Sequence, residues 1–391
     1  MKPLKILFVT PFYRPFFEMG GVSKSLTMLA EELTKLGHEI TVFTTNSNPL
    51  GKTTKLKSNS PINVNGVTVY YFSTTILTKI FNYSPSFKKI CFNLIDNFDL
   101  VHLECIWSYL GIIAGKAARK HKIPYITSPC GSLNTYALNQ KKFRKKLFLL
   151  LFEKKNLNSA NFIHYSTQLE MESTHAFNNI KTPYFIIPRF IISDEFQNLP
   201  EINKAKKDLS IPQDSLIISS IGRLHTIKAL DILIKSFYFV NKELSNCYLL
   251  IAGPNDGDRK KLKELTNKLG LQNKVRFLGY ADLNKKRLIW SVSDIFWFAS
   301  HQESFGLAGV EAMSCGIPLI LSKNVGICKE TINDKAGIIV PHNPKKIAIS
   351  ITELLKNKQV LLKMSDNARV SAKKYSKNKN CNDMINLYKT V

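Results

Sequence analysis

The sequence predicts an α/β protein built from two doubly wound parallel sheets in tandem. Three observations carry this expectation. Short apolar runs alternate with amphipathic stretches at helical spacing along most of the chain. The alternation breaks at 189–212, where Pro200 and Pro212 punctuate a linker-like segment, and restarts at Leu216. With 391 residues, 44% of them hydrophobic, the chain can bury two cores. The expected domains are 1–190 and 191–375, with a closing helix at about 376–391 packing back on the first.

In the first half, Leu4–Thr10 reads as a buried strand. A loop runs through Pro11 to the Gly20-Gly21 pair. Val22, Leu26, Leu29, Ala30, Leu33 and Leu36 then recur at helical spacing, and Gly37 stops the helix. Glu39–Thr45 alternates as the next strand. This is a β-α-β unit with glycines at the hand-over, where backbone can approach a phosphate; a plain tight turn reads equally well from the pair alone. Gly51–Asn65 reads as a polar loop and Val67–Phe72 as a strand, while Ile76–Phe98 has no clear periodicity. Asp99–Glu104 and Pro124–Ser128 are strand patterns around a helix at Ser108–His121. Pro129-Cys130-Gly131 leads into a long basic helix, then strands at Ala160–Ser166 and Phe185–Pro188.

In the second half, strand Leu216–Ile221 is followed by Gly222-Arg223-Leu224-His225-Thr226-Ile227-Lys228 and a helix to about Leu244. Strand Tyr248–Ala252 ends at Gly253-Pro254, a basic helix covers 258–269, and strand Val275–Leu278 meets Gly279-Tyr280. Helix Leu283–Val292, strand Ile295–Phe298, strand Pro318–Leu321 and strand Gly337–Val340 complete the pattern, with two further helical stretches.

Composition narrows the function classes. The formal charge is +26, but it is spread: 24 basic against 10 acidic residues in 1–190, 31 against 19 in the rest. No zinc-finger or RNP-like signature accompanies it, so nucleic acid is not an expected partner. Seven scattered cysteines without a C-x-x-C pair read as reduced thiols with no zinc site. The apolar run Ile6–Val9, interrupted at Pro11, is short for a secretory signal. No run approaches the roughly 18 apolar residues of a spanning helix.

The chemistry concentrates in two stretches. Ser300-His-Gln-Glu303-Ser-Phe305-Gly306-Leu307-Ala-Gly-Val-Glu311 follows a strand and opens a helix, with two carboxylates eight residues apart. A helix N-terminus carries unpaired N–H groups and partial positive charge, which suits phosphate or sugar oxygens. Arg223 and Lys228 lie at the first β-α turn of the second half, where a planar fork and a mobile point charge can meet a diphosphate.

Ser300–Pro318 resembles the E-x7-E signature of the retaining nucleotide-sugar glycosyltransferases of family 4, and Gly222–Lys228 resembles their G-R-L-x-x-x-K motif. The resemblance extends over nearly the whole chain, from Gly20-Gly21 through Asp99–His102, Pro124–Ser132, Gly253-Pro254 and Phe277–Tyr280. It implies the GT-B architecture, two Rossmann-like domains facing a deep cleft. It implies roles as well. Glu303 would bond donor-sugar hydroxyls and steady an oxocarbenium-like transition state. Arg223 and Lys228 would hold the diphosphate. Phe305, Gly306 and Leu307 would present backbone N–H groups, and Glu311 would grip the ribose. Gly20, Gly21, Gly253 and Tyr280 would line the donor site. Cys130-Gly131 stands where relatives often carry His-Gly, and Arg189-Phe190 where they tend to carry Asn-Gly; Cys130 reads as a passive small residue on the sugar or acceptor side.

The segment Gln140–Phe152 places Lys141, Lys142, Arg144, Lys145 and Lys146 before six apolar residues, a combination suited to an anionic membrane surface. With the resemblance this implies a protein peripheral on the inner face of the cytoplasmic membrane. It would transfer sugar to a growing lipid-linked glycan, as in lipopolysaccharide, O-antigen or capsule assembly. A soluble synthase of a free saccharide, of sucrose-, trehalose- or glycogen-synthase type, shares the signature, and a non-catalytic nucleotide-binding protein is the reading from another class. Asp256-Gly-Asp258 is a D-x-D of the kind that holds a divalent ion, but after Gly253-Pro254 it reads as a solvated loop. No metal or other cofactor is expected. His102, His164 and His225 have no metal-ligand spacing, with His102 read as a core or cleft residue.

Overall fold

The computed structural model describes residues 2–48, 53–74, 81–139, 142–178 and 180–391. The chain divides into two compact units, Met1–Arg189 with Asn380–Val391, and Phe190–Lys379. Both are α/β with largely parallel sheets. Among the described residues no helix is long and apolar enough to cross a membrane.

The first unit holds an eight-stranded sheet in the order β3-β4-β2-β1-β5-β6-β7-β8. Its strands are β1 (Lys5–Val9), β2 (Glu39–Thr45), β3 (Pro61–Val64), β4 (Val67–Phe72), β5 (Leu100–Glu104), β6 (Tyr125–Ser128), β7 (Phe162–Tyr165) and β8 (Tyr184–Ile186). The central strands are apolar on both faces, with Ile6, Leu7, Phe8 and Val9 all buried, as a sheet covered on both sides requires. Helix Gly21–Lys35 buries Leu26, Leu29, Ala30 and Leu33, the stripe its periodicity predicts. After β1 the chain builds outward through β2 and β4. It then returns to lay β5 against the other side of β1, so β1 and β5 flank the point where the strand order reverses.

Three stretches differ from the sequence reading. The polar segment 51–65 contains β3, an edge strand antiparallel to β4. Val64 and Val67 flank an Asn65-Gly66 hairpin turn, a signal the polar composition masked. The unassigned 76–98 contains helix Pro85–Leu94, which buries Phe87 and Cys91. The expected long basic helix carries a π turn: Lys142–Phe148 runs through Leu149–Glu153 in π geometry into Lys154–Asn158, and Thr135–Asn139 is helical as well.

The second unit holds a six-stranded, wholly parallel sheet in the order β11-β10-β9-β12-β13-β14. Its strands are β9 (Leu216–Ile221), β10 (Cys247–Ala252), β11 (Val275–Gly279), β12 (Ile295–Phe298), β13 (Leu319–Leu321) and β14 (Gly337–Ile339). In chain order this is 3-2-1-4-5-6, the Rossmann order, with its switch point between β9 and β12. Ile218, Leu249, Ile251, Ile295 and Trp297 form the sheet side of one core; Leu233, Phe237, Ile347, Ile351 and Leu355 cover it from helices Leu230–Glu243 and Pro344–Lys356. The expected linker 189–212 also carries structure, a 3-10 turn at Ser193–Phe196 and helix Ile202–Asp208. Glu201 caps that helix by accepting the Asn203 and Lys204 N–H groups, a cap that follows directly on Pro200.

Candidate active site

The residues singled out in the second unit lie at the carboxyl ends of β9, β10, β11 and β12, the side of such a sheet where ligands bind. After β9 the chain turns tightly through Gly222. A Cβ on Gly253, at φ +148°, would stand 1.7 Å from the Gly222 carbonyl oxygen, so these two loops approach as only glycine permits. Leu224 N–H donates to Pro254 O (2.9 Å) and Asp258 N–H to Leu224 O (3.2 Å), which locks the basic turn to the loop after β10.

That loop is not merely solvated. Arg223 Nη1 donates to Asp256 at 2.5 Å, and Thr226 Oγ1 donates to Asp258 at 2.8 Å. The two acids of the D-x-D engage the basic turn itself, a partnership that residues more than thirty apart do not announce in sequence. Lys228 reaches across the switch point from the β9 side to the β12 side and pairs with the Glu303 carboxylate. Its ammonium also lies 5.5 Å from the Phe298 ring centroid. The β12 loop is held by His301 N–H to Ile227 O (2.8 Å), Glu303 N–H to Asn324 O (3.0 Å) and Gly326 N–H to Glu303 O (2.8 Å). Two ion pairs thus stand at the carboxyl ends of these strands, Lys228–Glu303 across the switch point and Arg223–Asp256 between the loops after β9 and β10.

Gly306 sits at φ +112° and a Cβ there would collide with the Phe298 ring at 2.4 Å. Gly306 is therefore dictated by both backbone and space, and it starts the helix Leu307–Ser314. Phe305 is buried with its ring 5.5 Å from that of Tyr375. Glu311, in the second turn of the helix, is 1% exposed and accepts from Lys286 Nζ at 2.5 Å. Tyr280, after β11, is half-exposed. Sequence reasoning missed Lys286: one lysine among Lys285, Lys286 and Arg287 carries no mark of its partner.

In the first unit, Gly20 and Gly21 lie after β1 and start the helix Gly21–Lys35, at the switch point of that sheet. Next to them lies a buried polar cluster. Arg189 donates to Ser25 Oγ (2.6 Å) on that helix, to Glu104 (3.1 Å) at the end of β5, to Cys130 Sγ (3.2 Å) beyond β6 and to Ser166 Oγ (3.2 Å) beyond β7. One guanidinium ties four carboxyl-terminal loops of the sheet. Burial alone would raise the Glu104 carboxyl; Arg189, then His102 and His164, outweigh it and hold it down at about 2. The Cys130 thiol donates to Glu104 at 2.9 Å. Burial, then the neighbouring Cys105 and Glu104, push that thiol well above its ordinary value despite Arg189, so Cys130 is a protonated hydrogen-bond donor rather than a nucleophile. The Gly131 N–H is given to Glu170 at 2.5 Å.

His102 and His164 do come together, despite their separation in sequence, because β5, β6 and β7 are adjacent strands. With Glu104 their potential ligand atoms lie within 4.8 Å of one another. Their hydrogens can be ordered from the partners. His164 Nε2 faces the Ile187 carbonyl (2.9 Å) and must carry a proton, so Nδ1 accepts from Ser128 Oγ (2.9 Å). The Ser128 oxygen then accepts from His102 Nε2 (2.7 Å), and His102 Nδ1 accepts from the Tyr388 hydroxyl (2.8 Å). Both rings are neutral in this scheme. Burial lowers the pKa of both, that of His102 to about 3. These groups are engaged with one another and with Arg189 in a structural network.

Lys141 lies outside the described residues, as do the side chains of Lys142 and Arg144. Lys146 is exposed, whereas Lys145 turns inward to the Ala137 carbonyl (2.5 Å) and sits 5.8 Å from the Trp107 ring centroid. Of the apolar residues beside them, Leu149 packs against the cluster of Ile106, Leu133 and Leu157, but most of the others stay out of the core. Phe143 is 81% exposed, and Leu147, Leu150, Leu151 and Phe152 are all largely exposed. Phe148 anchors the segment on Phe81 and Trp107, each 5.7 Å away between centroids.

Comparison with known proteins accounts for most of the chain. The family described as glycosyl transferase 4-like domain matches residues 20–189, and glycosyl transferases group 1 matches residues 201–371. An uncharacterized glycosyltransferase of Methanocaldococcus jannaschii is 28% identical over 99% of this chain and 98% of its own length. Sucrose-phosphate synthase from Thermosynechococcus elongatus shares the fold, with a TM-score of 0.81 at 19% identity over 99% of this chain and 98% of the other. So does HepE of Anabaena in complex with UDP-glucose, with 0.80 at 17% identity over 99% of this chain and 100% of the other. With its two sheet units and both family matches, the chain is a glycosyltransferase of GT-B type.

Proposed function

We propose that the chain moves a sugar, with retention of anomeric configuration, from a nucleoside-diphosphate sugar to a hydroxyl of a lipid-linked glycan. The observation that carries this reading is the Lys228–Glu303 pair at the switch point of the second unit, with Arg223 on the same β9 turn paired to Asp256. Breaking the bond between the anomeric carbon and the diphosphate oxygen leaves negative charge on the diphosphate. Lys228 and Arg223 neutralise it there, Lys228 as a point charge and Arg223 as a bidentate fork. Their present partners, Glu303 and Asp256, fill the place of the diphosphate and yield as it enters. Glu303, released from Lys228, accepts from donor-sugar hydroxyls and stabilises positive charge at the anomeric carbon. Glu311 accepts the ribose hydroxyls. The acceptor oxygen bonds to the anomeric carbon on the face the diphosphate leaves, and its proton passes to that leaving group. No divalent ion takes part: Arg223 and Lys228 supply the charge. EDTA is expected to leave the rate unchanged, and loss of activity restored by magnesium would contradict this.

HepE, of the same fold, binds UDP-glucose. A thermal-shift screen of nucleotide sugars tests the donor directly. The true donor at about 100 times its dissociation constant adds about 2.7 kcal/mol of stability. If no nucleoside-diphosphate sugar shifts the melting curve, the donor class is wrong.

The acceptor side rests on the exposed segment. Phe143, Leu147, Leu150, Leu151 and Phe152 stand in water beside the exposed Lys146. Apolar residues that enter the headgroup boundary next to basic ones, each of these worth about 1 kcal/mol near anionic lipid, fit a bilayer surface. Replacing Leu147, Leu150 and Leu151 by Ser and Lys146 by Glu is expected to abolish co-sedimentation with phosphatidylglycerol vesicles, with transfer to a water-soluble acceptor unchanged. Equal sedimentation of this variant and the parent would exclude membrane docking through this face and favour a free-saccharide synthase.

A further inference from the structure

We propose that Lys286 is a positioning residue for nucleotide recognition, its ammonium orienting the buried Glu311 carboxylate as a double acceptor for the two ribose hydroxyls. The inference rests on the reading of Glu311 as the ribose contact. It arises from a contact that reading does not require. Glu311 is 1% exposed and Lys286 Nζ lies 2.5 Å from its Oε2, with the lysine side chain itself 17% exposed.

A vicinal diol offers two O–H donors, and a carboxylate has about four acceptor positions to meet them. An ammonium on one oxygen takes one of these positions and fixes how the carboxylate is turned. Other titratable groups pack against the Leu307–Ser314 helix as well. Arg369 packs at its far end, where a Cβ on Gly316 would meet the guanidinium at 2.6 Å. Cys315, at the helix C-terminus, is a thiol that burial pushes up to about 12. Asp194 and Glu195, on the 3-10 turn packed against the same helix, are acids.

Lys286 is also placed by a fixed element. Its helix, Leu283–Val292, is capped by Asp282, which accepts the Lys285 N–H at 2.8 Å. Arg287 donates to the Asn198 carbonyl at 2.6 Å, and Trp290 is buried beneath. The same helix follows Gly279-Tyr280 at the end of β11. The lysine thus couples the loop after β11 to the helix after β12.

The test is calorimetric titration of UDP, GDP and ADP, followed by comparison of the tightest with its 2′-deoxy counterpart. Parent, K286R, K286M, K286Q, E311Q and the K286M/E311Q double variant are compared, with thermal melting as the control for folding. The parent is expected to prefer the ribonucleotide by about tenfold or more, the effect of one buried hydrogen bond to a charged group. K286M and K286Q reduce that preference to within about threefold, while K286R keeps most of it. The double variant binds no more weakly than E311Q, because both changes remove one interaction. A parent-like preference in K286Q together with its loss in E311Q would overturn the role of Lys286 and leave the ribose reading standing. A parent-like preference in E311Q would overturn the ribose reading itself, and this inference with it. Tighter nucleotide binding in K286Q than in the parent would mean that the lysine competes with the ribose, and would overturn the inference alone.

Discussion

Lys228→Ala lowers kcat for sugar transfer by about a hundredfold to a thousandfold, the usual effect of removing one preorganised group from developing negative charge. The diphosphate then leaves with Arg223 alone to receive its charge, and Glu303 loses the ammonium that pairs with it. Because the lysine acts mainly as the leaving group develops charge, kcat falls more than donor affinity does. Lys228→Arg restores part of the loss, since it keeps the charge and changes the geometry. Steady-state kinetics with a thermal melt of each variant separates this from misfolding. A loss below about tenfold in a folded Lys228→Ala protein would make the ion pair structural and favour a nucleotide-binding role without catalysis.

Arg189→Ala destabilises the first unit by about 3–5 kcal/mol at neutral pH, because it leaves a buried carboxylate uncompensated. Glu104 is wholly buried and Arg189 nearly so, and the arginine also holds Ser25, Cys130 and Ser166. The pH dependence identifies the cause. In the parent, the Glu104 pKa is held at about 2 against an ordinary 4.5, so its contribution is complete above the ordinary value and is lost as pH falls toward 2. In the variant burial acts unopposed by the guanidinium and raises the carboxyl, so its penalty is relieved as pH falls. The gap between parent and variant therefore narrows on acidification. His102, lowered to about 3 from 6.5, adds a loss of stability shared by both proteins as pH falls from 6.5 toward 3. Urea unfolding at neutral and acid pH measures all of this. A gap under about 1 kcal/mol at neutral pH, or one that widens in acid, would show that the cluster does not depend on the arginine.

The two sheets were legible because they depend on local pattern, and the residues of the loops after β9 and β12 were legible through their resemblance to the G-R-L-x-x-x-K and E-x7-E motifs. Leu26, Leu29, Ala30 and Leu33 declare a helix by spacing, and Gly306 is where the collision with Phe298 demands a glycine. What the sequence hid is long-range pairing. Nothing near Asp256 shows that it holds Arg223, and nothing near Lys286 shows that it holds Glu311. His102 and His164 lack ligand spacing, yet three neighbouring strands bring them to one serine. Arg189 stood out only as a departure from the Asn-Gly of relatives; its four partners, from Ser25 to Ser166, explain why an arginine belongs there. At Gln140–Phe152 the basic-then-apolar order points to a surface, but composition does not tell which apolar residues are exposed, since the same leucines fit a core as well.

The most direct measurement is release of nucleoside diphosphate from a panel of nucleotide sugars, with lipid-linked glycan acceptors, by the parent, Lys228→Ala and Glu303→Ala proteins. The anomeric configuration of the product is read by NMR. The account predicts turnover of one donor class, loss of about a hundredfold or more in both variants, and a product with the donor's configuration. An inverted product, or variants that keep more than about a tenth of the parent rate, would contradict it.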